Sequence, residues 1–298
     1  MRQVLRSLIA LGVMSAFSAP ASADGVLFST NPNPDGAMAM ASRPGVGGQT
    51  EIEAGDDFFT TTPVQITGAT FTGLVVPTAG ATPTIGEVVA ELYHIFPLDS
   101  GPFDNKVPTR TNSPSDVEFD SRDTAGGTLS FTTQTLSSTF TANNSVLNGI
   151  NPSPNQTTGG EGPVTGTEVK FTVNFSTPFN LPAGSHDFFV PQVQVTGGEF
   201  YWLSSARPIV GPDGTPFPAG VTDLQAWIRN EALQPDWLRV GTDIVGGSTP
   251  PTFNGTFTLI GNAVPEPSTF VMAGIAALIG VGYSLLRRTH SAGTSTPM

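Results

Sequence analysis

Asp116, Glu118 and Asp120 alternate through the run DVEFDSRD. In an extended chain they share one face, about 7 Å apart in succession. Carboxylates so placed repel one another unless water or a cation bridges them, and calcium takes oxygen ligands of this kind. The competing reading is a solvated strand edge whose charges keep other strands away. No twelve-residue calcium-loop spacing accompanies the run, and the edge reading fits it better. A second acidic stretch, Glu51-Ile52-Glu53-Ala54-Gly55-Asp56-Asp57-Phe58-Phe59, predicts a core strand with Phe58 inside and Asp56 or Asp57 capping a turn. Asp24, Asp56 and Asp57 form a further candidate ion site.

Tyr201, Trp202, Trp227 and Trp237 are the candidates for stacking on a sugar face, with carboxylates nearby to accept hydroxyl bonds. Alternation in Phe200-Tyr201-Trp202-Leu203 turns part of the run outward, and Trp237 reads as a rim residue as readily as a core one. Tryptophans of a β-domain are nevertheless more often core than platform.

Hydrolytic chemistry finds little support. Ser185, His186 and Asp187 are adjacent, and neighbours on a strand point to opposite faces, whereas a triad gathers distant residues. His94 and His186 lie on strand-like stretches, where a structural role is expected. No Gly-x-Ser-x-Gly elbow, phosphate loop or His-Glu-x-x-His motif occurs. Cysteine is absent, which excludes thiol nucleophiles, zinc–thiolate sites, iron–sulfur clusters and disulfides. The expectation is a protein that is not an enzyme and has no cofactor, calcium being the one candidate ion. Only carboxylate-based glycoside chemistry, which needs no signature motif, stays as an enzymatic reading.

The elements that position these residues read as strands. Stretches rich in β-branched and aromatic residues alternate with Gly, Pro, Asn and Ser clusters. They cover residues 65–75, 87–96, 127–140, 167–175, 186–195, 199–204 and 255–260. Gly197-Gly198 predicts a hairpin turn between two of them. Residues 97–115 and 148–166 read as loops. Residues 223–229 and 232–239 read as helical turns or irregular strands. Sustained helical periodicity occurs only at the two chain ends. The fold class is all-β: a β-sandwich, jelly-roll-like, flanked by an N-terminal signal helix and a C-terminal transmembrane helix.

The chain carries 24 Asp plus Glu against 12 Lys plus Arg, a net charge of −12, and four of the cations (Arg2, Arg6, Arg287 and Arg288) lie in its ends. The middle is therefore strongly acidic, which argues against nucleic acid or anionic lipid as partner.

Residues 1–23 have the layout of a signal peptide. Arg2 and Arg6 precede an apolar stretch, Leu8 to Phe17, and Ala21-Ser22-Ala23 is a small-x-small cleavage site for signal peptidase. Residues 24–263 form the expected exported β-sandwich domain. At residues 264–288, VPEPSTFVMAGIAALIGVGYSLLRR, Pro265 and Pro267 hold the chain extended around Glu266. Residues 270–286 carry no charge and make a helix of about 25 Å, long enough to span. Arg287 and Arg288 mark the cytoplasmic side, leaving 289–298 as a cytoplasmic tail.

Val264-Pro265-Glu266-Pro267-Ser268, the apolar run and Arg287-Arg288 together resemble the PEP-CTERM sorting signal of Gram-negative bacteria. The resemblance covers about 25 residues, and the extension beyond the arginines is longer than is usual there. It implies recognition by a membrane-embedded exosortase, a cysteine transpeptidase-like enzyme that cuts near the motif. It also implies an exported, cell-surface or extracellular-matrix protein associated with exopolysaccharide and biofilm, membrane-held before processing. A carbohydrate-binding module, calcium-dependent or not, is the alternative, and a secreted glycan-active enzyme the third reading.

Overall fold

The computed structural model describes residues 24–96, 111–150, 157–210, 214–233, 237–264, 274–276 and 278–283. The chain divides into two compact units, Met1–Ala263 and Val264–Met298.

Among its described residues the first unit is built almost wholly of β-strands. In chain order its strands are β1 (Gly25–Ser29), β2 (Pro34–Ala41), β3 (Ile52–Phe59), β4 (Val64–Pro77), β5 (Thr84–Phe96), β6 (Ser113–Pro114), β7 (Asp120–Asp123) and β8 (Leu129–Ala142). They continue as β9 (Asn144–Val146), β10 (Val164–Leu181), β11 (His186–Thr196), β12 (Gly198–Ser205), β13 (Trp227–Asn230), β14 (Leu238–Arg239), β15 (Asn254–Gly255) and β16 (Phe257–Ala263). A short 3-10 turn, Glu231–Leu233, and a π-helical turn, Val240–Val245, flank β14.

These strands form two sheets. The first is organised on β4. One edge of β4 carries β10 along its length, with β8 outside β10. The other edge is shared, β16 taking Val64 to Phe71 and β12 taking Gly73 to Pro77. β1 lies outside β16 and β2 outside β12. The second sheet runs β14-β13-β3-β11-β5, with β6 and β7 on β5. Consecutive long strands β2, β3, β4 and β5 alternate between the sheets.

The sheets meet across one apolar core. Phe189 of β11 lies 5.4 Å from Phe257, 6.4 Å from Trp202 and 6.5 Å from Phe71, all of the opposite sheet. Phe28 of β1 meets Phe58 of β3 at 6.2 Å. Phe58 is fully buried, as expected from the sequence.

Each of the seven predicted stretches falls on a strand. The expected hairpin at Gly197-Gly198 does not form. β11 pairs with β3 and β5 in the second sheet, whereas β12 pairs with β4 and β2 in the first. The chain instead turns at Gly197 (φ 74°) from one sheet into the other, a backbone that glycine adopts without strain.

The two flanking helices are not established. The signal segment, Ala21 and Ala23 included, lies outside the described residues, as do Pro265, Glu266, Pro267, Ser268, Arg287 and Arg288. Of the expected span 270–286, residues 274–276 and 278–283 are helical. Among the described residues no helix is long and apolar enough to cross a membrane. Within 97–115 and 148–166, residues 97–110 and 151–156 are likewise outside, while Ser113–Pro114 pair with β5.

Candidate functional site

The second sheet is buried on both faces, and its outer face holds the densest charge network of the described residues. Alternation sends Ala54, Ala90, Leu92, Phe189 and Ile228 into the main core. Their neighbours turn outward: Tyr93, Phe188, Val190 and Trp227, with Trp237, make a second small core. In register, Trp227 lies opposite Gly55, Arg229 opposite Glu53, and Val190 opposite Glu91. Gly55 leaves room for Val190, since a Cβ there would stand 3.0 Å from the valine Cγ2, with the Trp237 indole 3.8 Å away.

Arg229 lies over the Trp237 ring, 4.7 Å from its centroid, and 5.4 Å from that of Tyr93. Its guanidinium donates to both oxygens of Glu53, Nη2 to Oε1 at 2.9 Å, and Nε to Oε2. A further bond from Nη1 reaches the Asp116 carbonyl at 2.8 Å. The Tyr93 hydroxyl contacts Glu53 and, at 3.2 Å, Oε2 of Glu91. Gln192 Nε2 donates to Glu51 Oε1 at 3.0 Å and to Glu91 Oε2 at 3.4 Å.

One oxygen each of Glu51, Glu53 and Glu91 lies within 4.8 Å of the others. Burial, and then the charges of Glu53, Glu51 and Glu118, push the Glu91 carboxyl up to about 8. Burial and then Glu53 also raise Glu51. Burial works against the Arg229 charge, but the hydrogen bond and charge of Glu53 outweigh it and hold its pKa above the usual value. Three convergent carboxylates are a ligand set for a divalent cation. Here the guanidinium already occupies both oxygens of Glu53, so the internal cation stands where an ion would. Carboxyl groups about 5 Å apart also suit retaining glycoside hydrolysis. Glu53 is 2% exposed and Glu91 9%, however, which leaves no room for a sugar between them.

The predicted calcium residues are not brought together. Asp116 and Glu118 are exposed in bent chain before β7, and Asp120 opens that strand with its carboxylate on Arg122, Oδ2 to Nη2 at 3.0 Å. The bend has a cause in Phe119, which stacks on His94 at 3.9 Å between centroids, and in the Asp116 carbonyl, held by Arg229. Extended geometry therefore does not describe this run.

The predicted sugar platform is also absent. Tyr201 is 6% exposed, Trp227 2%, and Trp202 and Trp237 are fully buried. Phe200 to Leu203 are buried throughout because both faces of β12 are covered. Trp202 Nε1 donates to the Thr256 carbonyl at 2.9 Å and Trp237 Nε1 to that of Ser115 at 3.1 Å.

Ser185 donates to the Pro182 carbonyl at 3.0 Å, while His186 Nε2 meets Asp57 Oδ2 at 2.6 Å and His94 Nδ1 meets Asp187 Oδ1 at 2.8 Å. Asp56 and Asp57 cap no turn. Both are buried within β3, Asp56 accepting from the Gly255 amide at 2.9 Å, and burial raises both pKa values. Asp24 bonds to Thr67 and Asn262 instead, so the three aspartates do not share partners.

Sequence reasoning missed Glu91, Tyr93, Gln192 and Arg229. A signal existed in EVVAELYHIF, where Glu91 interrupts an apolar run, because a charge inside such a run is buried only with a partner. No protein-family model, curated protein or solved structure matches this chain.

Proposed function

We propose that the chain is an exported, non-enzymatic β-sandwich of jelly-roll type that an exosortase-like enzyme processes at Pro265-Glu266-Pro267. It serves at the cell surface or in an exopolysaccharide matrix. The observation that carries this reading is the division of the chain between Ala263 and Val264. β16 ends at Ala263, so a cut within Val264 to Ser268 leaves every described strand of both sheets in place.

The strand order β2-β12-β4-β10 against β3-β11-β5-β7 supports the jelly-roll reading. Burial of all three tryptophans and of Glu53 and Glu91 weighs against an aromatic sugar platform and against glycoside hydrolysis.

Mass spectrometry of the protein taken from its native envelope tests the reading. A mature chain beginning at Asp24 and ending between Pro265 and Ser268 is expected. An intact C-terminus at Met298 overturns it.

A further inference from the structure

β8 forms one margin of the first sheet. It is paired with β10 along one edge, from Leu129 to Thr135 without a shift in register. Among the described residues no strand pairs with its other edge. Beyond Thr135 the register slips at Leu136, and the chain just past the strand is held to β2, where Asn143 N donates to the Gly36 carbonyl at 2.8 Å. The free, regular stretch is Ser130 to Thr135, about 20 Å long. Its alternate residues direct backbone N–H and C=O groups away from β10.

Edges of this kind are ordinarily guarded by lysine, proline, a bulge or a charge. Ser130-Phe131-Thr132-Thr133-Gln134-Thr135 has none of these. Phe131 packs towards Phe171, 6.2 Å between centroids, and the other five residues are exposed. The charges nearest in register, Lys170 opposite Gln134 and Glu168 opposite Ser137, stand one strand further in. The other margins of the sheet are less suited to pairing. β1 has 5 residues and a shift between Val26 and Phe28, and β9 has 3 residues.

Three observations select the occupant. An antiparallel edge is complementary to itself under a twofold axis, each donor meeting an acceptor of its mate. The net charge of −12 makes contact between copies repulsive unless it falls on uncharged surface, and this stretch is uncharged. Its short hydroxyl side chains give a foreign peptide no pockets in which to seat its residues. Leu136, at the end of the stretch, is 45% exposed and gains cover from a mate.

We propose that β8 pairs antiparallel with β8 of a second copy of this chain, joining the two first sheets edge to edge in a closed dimer. The proposal goes beyond the processing reading and does not depend on it.

Sedimentation velocity of the purified full-length chain, in a mild detergent that shields the apolar run 270–286, tests it. A monomer–dimer equilibrium is expected at micromolar concentration. T133E/T135E sets carboxylates against one another across the twofold and should weaken the dimer by about tenfold or more, most at low salt. T61E/T62E adds the same charge in the exposed turn between β3 and β4 and should leave association unchanged. Circular dichroism checks that both variants fold. The chain has no cysteine, so a single introduced thiol reports on its own neighbourhood. At least one of Thr133→Cys, Gln134→Cys and Thr135→Cys should give a disulfide-linked dimer under mild oxidation, and Thr61→Cys should not. The proposal fails if the chain stays monomeric, as it would were β8 reserved for a strand of another protein. It fails also if both double variants associate equally, or if no β8 cysteine cross-links faster than Thr61→Cys. None of these outcomes moves the mature C-terminus, so the processing reading stands or falls separately.

Discussion

Gly25 lies directly opposite Gly261 in the antiparallel pairing of β1 with β16. The chain therefore enters the first sheet and leaves it at the same end. The Asp24 carboxylate fastens that end, accepting from Thr67 Oγ1 at 2.7 Å and from the Asn262 amide. β16 sits between β1 and β4 and is held on both edges. A chain of residues 24–263 is thus expected to melt cooperatively at the midpoint of one that keeps the tail. A chain stopped at Thr256 loses β16, strips β1 of its partner, and should show no cooperative transition. Equal midpoints for all three, followed by circular dichroism, would remove β16 from the folding unit.

Arg229 and Glu53 form a buried ion pair in which one partner cannot be lost alone. Arg229→Met leaves the 2%-exposed Glu53 carboxylate without its cation, and breaking such a pair costs about 3–5 kcal/mol. The double variant R229M/E53Q removes the stranded charge and should be more stable than R229M alone. Urea denaturation of the wild type, both singles and the double closes this cycle. A double variant no better than R229M would mean that the guanidinium acts through its packing on Trp237 rather than through charge.

How legible this arrangement is from sequence depends on the range of the interactions involved. β4, β5, β10 and β11 are marked locally, by β-branched residues in alternation, and their positions follow from sequence. β2 is not: PDGAMAMA has no β-branched residue, and it is a strand because β12 and β9 flank it. β3 carries Glu53, Asp56 and Asp57; the stretch reads as a core strand, but its aspartates read as turn caps rather than as buried groups. Burial of those acids is made possible by partners far along the chain, since Arg229 is 176 residues from Glu53 and His186 is 129 from Asp57. Nothing local in the acidic run at Asp116 signals its bend, because His94 and Arg229, two residues remote in sequence, impose it. Burial of the three tryptophans follows a general tendency, but the missing acceptor of Trp227 has no local signal.

Calcium should not stabilise the domain. Asp116 and Glu118 are exposed and separate, Asp120 is bound by Arg122, and the Glu51–Glu53–Glu91 group already contains the Arg229 cation. Melting midpoints measured in millimolar calcium and in chelator are expected to coincide. A saturable rise with calcium, abolished by Glu91→Gln, would displace the guanidinium from the role given to it here.

Gly255 is fixed by its contact with Trp202. A Cβ at that position would stand 2.2 Å from Cζ2 of the indole. The ring has little freedom to yield, because its Nε1 bonds to Thr256 and it packs on Phe189 and Phe257. Gly255→Ala is therefore an overpacking change of at least about 3 kcal/mol, the upper end of such effects. Trp202→Phe should cost stability in the wild type yet recover part of it in the Gly255→Ala background. Additive effects of the two substitutions in thermal melts would argue that the clash is relieved elsewhere.

Stability should fall as pH rises from about 4.5 to 8. Burial raises Glu91 from 4.5 to about 8 and Asp223 from 3.8 to about 6. Between the unfolded and folded values, the unfolded chain has released these protons while the folded one retains them. The folded state then binds more protons, and the free energy of unfolding declines with pH. Below the unfolded values both states are protonated and the contribution is fully present; above the folded values it is gone. Glu51, Asp56, Asp57 and Asp187 are raised as well, mainly by burial, and act in the same direction. Melting midpoints across this range should peak on the acidic side, the reverse of a protein held by exposed ion pairs. Glu91→Gln keeps the shape of the protonated side chain without its titration, and should flatten the slope between pH 6 and 8. An unchanged slope in that variant would assign the dependence to the aspartates of β3 instead.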